Sequence, residues 1–279
     1  MIIQATFKQR IGGVTEKRDL HGGSTDSPML PGLRIFLTLS ADPPMIWPMR
    51  YPGGKGKCFQ HIINVLPEHS TYIETHLGGG AVLRHKAPAR ESIAIDVDPK
   101  VIVWWRRHYP SLATFIAGDA LAVLRSYPFT GAEVIYCDPP YLPSTRRRSR
   151  VYANDLTESD HIELLSVLKR LPCRVAISGY SSQLYETELH GWNEIRFSAK
   201  AHNGLRVESL WMNYPIPDDL HDPRFLGRNF RQRQDVRRRM NRLQDRISRL
   251  SKPEQHALAT WLTNQLRNRR ELACGISCS

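Results

Sequence analysis

Val134-Ile135-Tyr136-Cys137-Asp138-Pro139-Pro140-Tyr141 is the stretch that decides how this 279-residue chain folds. Its first four residues are apolar without alternation, as in a strand buried on both faces of a helix-covered parallel sheet. An acid and two prolines follow at once. The strand therefore stops at Cys137, and the chain turns with φ fixed and two backbone donors removed. In an open α/β sheet, ligands bind outside the carboxyl ends of the strands, which is where Asp138 to Tyr141 fall. The plainer alternative is an ordinary strand-to-loop exit that happens to contain prolines.

Working outward, short apolar runs alternate with helical patterns from Arg50 to about Pro217. Strands are expected at Tyr72–Thr75, Ser92–Asp96, Thr114–Ala117, Glu133–Cys137, Arg174–Ser178, Glu194–Ser198 and Glu208–Asn213. Helices are expected at Lys57–Leu66, Pro99–His108 and Thr157–Leu171, the last opened by an S/T-x-x-D/E cap at Thr157 and Asp160. Alternation of this kind predicts an α/β fold, doubly wound and mostly parallel, with seven strands. Residues 45–218 would form this domain. Residues 1–44, rich in Gly, Ser and Pro, read as a disordered extension or the product of an upstream start codon. Residues 219–279 read as a basic helical segment. There Val236, Met240, Leu243, Ile247 and Leu250 repeat at spacings of four and three among arginines, and Ser251-Lys252-Pro253-Glu254 starts a second helix, giving a helical hairpin.

The residue types at Asp138–Tyr141 suit one chemistry. An exocyclic amino group on a base is a poor nucleophile, because its lone pair is delocalised into the ring. The Asp138 carboxylate and the Pro139 carbonyl can accept its two N–H groups and favour a pyramidal nitrogen. Pro140 stiffens the turn, and Tyr141 offers a flat face for an extruded base, a contact worth roughly 1–3 kcal/mol. Two further motifs frame the tetrapeptide. In Tyr72-Ile73-Glu74-Thr75-His76-Leu77-Gly78-Gly79-Gly80 a strand runs into three glycines that allow close backbone approach. Asp96 ends the next strand about 20 residues on, where an acid suits ribose hydroxyls or serves as a helix cap. In Arg50-Tyr51-Pro52-Gly53-Gly54-Lys55-Gly56-Lys57, glycines and lysines precede a helix and make an anion site or a solvated turn.

In this order the motifs resemble the Dam-like DNA adenine N6-methyltransferases, the D12 class, over Arg50 to about Pro217. The resemblance implies a Rossmann-like methyltransferase sheet whose last strand, Glu208–Asn213, is inserted antiparallel. It implies S-adenosylmethionine as cofactor, S-adenosylhomocysteine as product and no metal. By that resemblance Tyr51, Lys55, Asp96 and Asp138 contact the donor, Glu74, His76, Gly78, Gly79 and Gly80 form the glycine-rich motif, and Asp119 lies near the donor's adenine. Asp138, Pro139, Pro140 and Tyr141 are the catalytic motif. Two departures stand out. His76 occupies a position where the family usually has Phe, and only about forty residues separate Asp98 from Asp138, too few for a target-recognition insertion.

Charge agrees with a nucleic-acid partner. Lys and Arg total 39 against 27 acids, for a net charge of +12, and the pI is about 9.7. Double-stranded DNA is the expected partner. Arg146, Arg147, Arg148, Arg150 and Tyr152 follow the catalytic motif and are the candidate DNA contacts, with Arg224–Arg249 a second basic set for phosphates or for packing on another chain. The five cysteines read as reduced thiols of a cytoplasmic protein. No apolar run long enough for a membrane span and no secretory signal is apparent, and the sequence leaves the oligomeric state open. Two rivals remain: an RNA base amino-methyltransferase, and a basic nucleic-acid-binding protein on a methyltransferase scaffold. The histidines at 61, 69, 76 and 85 do not match metal-site spacing.

Overall fold

The structure is a computed structural model and describes residues 54–56, 58–146, 154–201 and 204–276. Tyr51, Arg147, Arg148, Arg150, Tyr152 and the expected extension over residues 1–44 lie outside the described residues.

Seven strands form one sheet: β1 (Thr71–Glu74), β2 (Glu91–Asp96), β3 (Thr114–Ala117), β4 (Glu133–Cys137), β5 (Arg174–Gly179), β6 (Asn193–Ala201) and β7 (Gly204–Met212). Their order is β3-β2-β1-β4-β5-β7-β6. Pairing is parallel from β3 through β5, and β7 enters antiparallel to both β5 and β6. The expected doubly wound sheet with an inserted final strand is therefore present. The order reverses between β1 and β4, so the crevice at a topological switch point opens where β1 ends at Glu74 and β4 ends at Cys137.

Side-chain alternation along the strands divides the core between the two faces. Tyr72, Ala94, Val134, Tyr136, Ala176, Leu210 and Met212 pack with α1 (Phe59–Ile63), α2 (Ala81–His85) and α3 (Pro99–His108). Ile73, Ile93, Ile95, Ile135, Val175, Ile177 and Trp211 pack with α4 (Ala120–Ser126), α5 (Glu158–Arg170) and α6 (Gln183–Glu188). Both faces of β4 are covered, which explains the unbroken apolar run that announced it.

Local signals set the helix ends. Asp98 caps α3 by accepting from Lys100 N–H, with Pro99 in the first turn. Thr157 and Asp160 form a complete capping box on α5. Asp119 and Ser182 cap α4 and α6, two short helices that the apolar periodicity had not marked. The expected first helix, Lys57–Leu66, is shorter in the fold, because Val65 and Leu66 close tight turns back to Ile62 and Ile63 ahead of Pro67.

The chain after β7 folds back over α1 and α2. Leu220 bridges Pro67, Asp222 is buried and accepts from Ala87 N–H at 2.8 Å, and Asn64 Nδ2 donates to Phe225 O at 2.5 Å. Two helices follow, α7 (Phe230–Ser248) and α8 (Lys252–Ile276). Ser251 receives no side-chain burial but bonds Glu254 through its N–H and hydroxyl, at 2.8 and 2.7 Å, which marks the start of α8 as the sequence predicted. No residue of α7 is buried.

Candidate active site

Lys55, Asp138, Ser178, Glu208 and Tyr141 meet at the carboxyl end of β4. Lys55 Nζ donates to Asp138 Oδ1 at 2.7 Å and lies 3.8 Å from Glu208 Oε2. Ser178, at the end of β5, donates from its hydroxyl to the same Asp138 Oδ1 at 2.8 Å and shares a 2.9 Å hydrogen bond with the Tyr136 hydroxyl. One carboxylate oxygen is thus fixed by two donors from two elements. Asp138 Oδ2 has no protein hydrogen bond among the described residues, and Pro139 carries no N–H to compete for an acceptor.

Tyr141 closes the other side. Its hydroxyl donates to Glu208 Oε2 at 3.0 Å, and Lys55 Nζ stands 4.8 Å from its ring centroid. Tyr180 meets it edge-on, with ring centroids 4.6 Å apart. The ring expected to offer a flat stacking face is only 5% exposed. Burial works against the charge of Lys55, yet the carboxylates of Asp138 and Glu208, with the Tyr136 hydroxyl, outweigh it, and the Lys55 pKa is raised. Burial raises the Glu208 pKa against the pull of Lys55.

The glycine-rich loop is held by the neighbouring strand. Asp96, buried at the end of β2, accepts from Gly78 N–H at 2.8 Å through Oδ2 and from Asp98 N–H at 2.9 Å through Oδ1. Gly80 has φ +53°, and a Cβ there would lie 2.3 Å from the Trp105 ring. Trp105 in turn donates from Nε1 to Gly78 O at 3.0 Å. The need for glycine at position 80 therefore comes from the tryptophan of α3 as well as from backbone conformation.

Other sequence-predicted residues take defined places. Glu74 points inward from β1, accepting from Tyr72 OH at 2.8 Å and capping α2 through Leu83 N–H at 3.0 Å. Burial pushes its pKa up to about 8. His76 is half-buried, with Nδ1 2.8 Å from Thr75 Oγ1, and burial with the nearby His161 pushes its pKa down to about 4, so it is a neutral imidazole. Asp119 is exposed and accepts from Leu121 and Ala122 N–H at the start of α4. Arg146 turns into the fold: Nη1 pairs with Asp155 at 2.6 Å, Nε donates to the Tyr141 carbonyl, and the side chain is 5% exposed. It ties the Asp138–Tyr141 turn to Asp155.

Three side chains at this edge were not singled out by the sequence. Ser178 and Glu208 reach Asp138 and Tyr141 only because β5 lies next to β4 and β7 next to β5. Val97 follows Asp96 and is 52% exposed.

A reversed-order parallel sheet with an inserted antiparallel strand, a glycine loop after β1, an acid after β2 and Asp-Pro-Pro-Tyr after β4 defines the class: a Rossmann-like, S-adenosylmethionine-dependent methyltransferase. The chain belongs to the D12 class N6 adenine-specific DNA methyltransferase family, which it matches over residues 51–110 and 97–204. Solved structures are similar to this chain only at low identity and with TM-scores below 0.5. TrmN from Thermus thermophilus is 16% identical at TM-score 0.41, covering 56% of this chain and 47% of that one. An rRNA methylase from Streptococcus thermophilus is 14% identical at TM-score 0.38, covering 55% and 93%. SMU.1697c from Streptococcus mutans, in complex with SAH, is 15% identical at TM-score 0.38, covering 55% and 94%. Among curated proteins no sequence matches. No helix among the described residues is long and apolar enough to cross a membrane.

Proposed function

We propose that this protein transfers a methyl group from S-adenosylmethionine to the N6 amino group of an adenine flipped out of double-stranded DNA. The observation that carries the reading is the state of Asp138, one oxygen fixed by Lys55 and Ser178, the other without a protein hydrogen bond among the described residues, with the Pro139 carbonyl the next acceptor along the chain. Two acceptors so placed take the two N–H bonds of an exocyclic amine and turn its lone pair outward. Asp138 also stabilises the positive charge that builds on that nitrogen as it becomes bonded to carbon. Membership of the D12 class supports adenine in DNA as the target.

The residues at the strand ends suit the donor. When bound, S-adenosylmethionine supplies a methyl carbon activated by a positively charged sulfur. Lys55 is the cation for its carboxylate. Asp96 keeps a second lone pair on each oxygen for ribose hydroxyls. Val97 offers an apolar surface to the adenine ring beside the exposed Asp119. A Cβ at Gly118 would meet nothing within 4 Å, so there is open space at the end of β3 for that ring. Tyr51, Glu74, His76 and the three glycines complete the set that the family resemblance assigns. No metal is required, since the leaving sulfur becomes neutral and needs no charge stabilisation.

In this reading residues 45–218 carry the transfer chemistry. Arg147, Arg148, Arg150 and Tyr152 are the DNA contacts beside the extruded base, and Arg146, paired with Asp155, fixes the chain just before them. The exposed arginines of α7, among them Arg237, Arg238, Arg242 and Arg246, take phosphates. Extrusion itself costs a few kcal/mol, recovered by contacts to the extruded base. The test supplies methyl-labelled S-adenosylmethionine with duplex DNA and, separately, with structured RNA. Label is expected in the DNA. Label in the RNA with none in the DNA contradicts the assignment.

A further inference from the structure

We infer that the cleft lined by the stacked pair Tyr180 and Arg206 is a second nucleotide-binding subsite, which seats the base and phosphate next to the target adenine in the same strand. The inference rests on the DNA-methyltransferase reading above and adds where the neighbouring nucleotide goes.

The cleft has a volume of about 570 Å³ and is lined by Ser144 and Thr145 after the catalytic motif, by Tyr180 after β5, and by Leu205, Arg206 and Val207 on β7. That volume lies within the range of small-ligand sites. Its contents match a nucleotide in three ways. First, the Arg206 guanidinium stacks on the half-buried Tyr180 ring, its carbon 4.2 Å from the centroid, so that the ring backs a guanidinium plane lining the cleft. Tyrosine rings and guanidinium planes are both surfaces on which unpaired bases stack. Second, Arg206 is oriented before any ligand arrives, because Nη2 donates to Thr145 O at 3.1 Å. The guanidinium carries five N–H groups, so donors remain for a phosphate. Third, Leu205 and Val207 are 76% and 59% exposed. These apolar side chains at the cleft give a base edge something to cover.

The position identifies which nucleotide it takes. None of Lys55, Asp138, Pro139 or Pro140 lines the cleft, so a base seated here does not present its amine to the acceptor pair. Tyr180 nevertheless touches Tyr141, at 4.6 Å between centroids. Ser144 and Thr145 follow Tyr141 within four residues, so the cleft adjoins the Asp138–Tyr141 turn, where the nucleotide next to an extruded one has to pass.

The experiment uses the full chain and a duplex oligonucleotide that the wild type methylates. Tyr180→Ala should raise the KM for DNA roughly tenfold or more, as loss of one stacked base predicts, while Tyr180→Phe restores the wild-type value. Arg206→Gln should raise KM and lower the slope of log affinity against log salt by about one. Donor affinity, read by calorimetry, should be the same in all variants, which also reports that each has folded. Replacing the nucleotide beside the target by an abasic residue should weaken wild-type binding but not the already weakened Tyr180→Ala. If Tyr180→Ala and Arg206→Gln keep the wild-type KM, or if the abasic residue penalises wild type and Tyr180→Ala alike, the subsite is wrong while the function stands. If wild type binds donor yet transfers nothing to any DNA, the function fails and the subsite fails with it.

Discussion

Asp96 and Asp138 stand at the carboxyl ends of β2 and β4, on either side of β1, and the fold treats them differently. Both oxygens of Asp96 accept backbone N–H groups, one from the glycine loop and one from the cap of α3. Asp138 gives a single oxygen to two side chains and keeps the other open. Under the proposed function, Asp96 is thus part of the wall that shapes the donor site, and Asp138 is the acceptor held at a set angle for the amine. The contrast teaches that similar acids at equivalent strand ends are to be separated by which of their lone pairs are already taken.

Removing each acid should break the two regions in different ways. Asp138→Asn keeps the shape and an acceptor for Lys55 and Ser178, but it replaces the charge that faces the amine. Methyl transfer should fall by at least about a hundredfold, the scale for losing one preorganised electrostatic contact at a reacting centre, and thermal stability should fall as well, because the buried Lys55 loses its nearer carboxylate and keeps only Glu208 at 3.8 Å. Single-turnover transfer measured beside a melting curve checks this. A rate within a few-fold of wild type would place the chemistry elsewhere.

Asp96→Ala should act first on the loop and the donor. It leaves the Gly78 and Asp98 N–H groups without their partner, a cost of about 1–3 kcal/mol for each donor that stays buried. Donor affinity and folding stability should fall together, and saturating donor should restore part of the stability. Calorimetry and melting curves with and without donor decide it. Stability lost without any effect on donor affinity would make Asp96 a purely structural brace.

The smallest effect concerns Glu74, which joins the two regions from beneath. Burial, with a further push from the charge of Asp138, holds its pKa at about 8 against 4.5 for an ordinary glutamate, in opposition to Tyr72, Leu83 N–H and Lys86. The folded chain therefore binds the extra proton between these values. Its contribution is fully present below about 4.5 and is lost as pH rises through about 8. Glu74→Gln mimics the protonated acid and should flatten the decline in stability across that window, as read from denaturation midpoints near pH 5 and pH 8. The same slope in variant and wild type would show that Glu74 is ionised in the fold. Unchanged donor binding in Glu74→Gln would assign it to the core rather than to the cofactor.

Much of the fold was legible in the sequence because its strongest local signals coincide with its tertiary demands. The bounds expected for Thr114–Ala117, Glu133–Cys137 and Pro99–His108 are those observed. An apolar run ended by a proline turn fixes β4, and Asp98-Pro99 fixes the start of α3. Helices α4 and α6 escaped notice, since seven and six residues are too few to show an amphipathic period, although Asp119 and Ser182 were available as caps. Strands β6 and β7 run further than the sequence indicated, to Ala201 and from Gly204, because their pairing there is made with each other and leaves Leu205 and Val207 exposed.

The candidate site was legible as a set of motifs but not as a network. Asp138 and Lys55 are 83 positions apart, and the motif resemblance brought them to one place. Ser178, Glu208 and Tyr180 carry no motif of their own. Their roles arise from the strand order β4-β5-β7, which sets them beside Asp138 and Tyr141. Arg146 shows the opposite case. It stands in a basic run that reads as a surface for DNA, yet its guanidinium is enclosed between Asp155 and the Tyr141 carbonyl.

The most direct measurement identifies the methylated atom. Duplex DNA incubated with S-adenosylmethionine and the purified protein is digested to nucleosides and analysed by mass spectrometry, beside the same reaction with Asp138→Asn. The account predicts N6-methyladenine with wild type and a level at least about a hundredfold lower with the variant. Methylation of cytosine, or equal N6-methyladenine from both proteins, would contradict it.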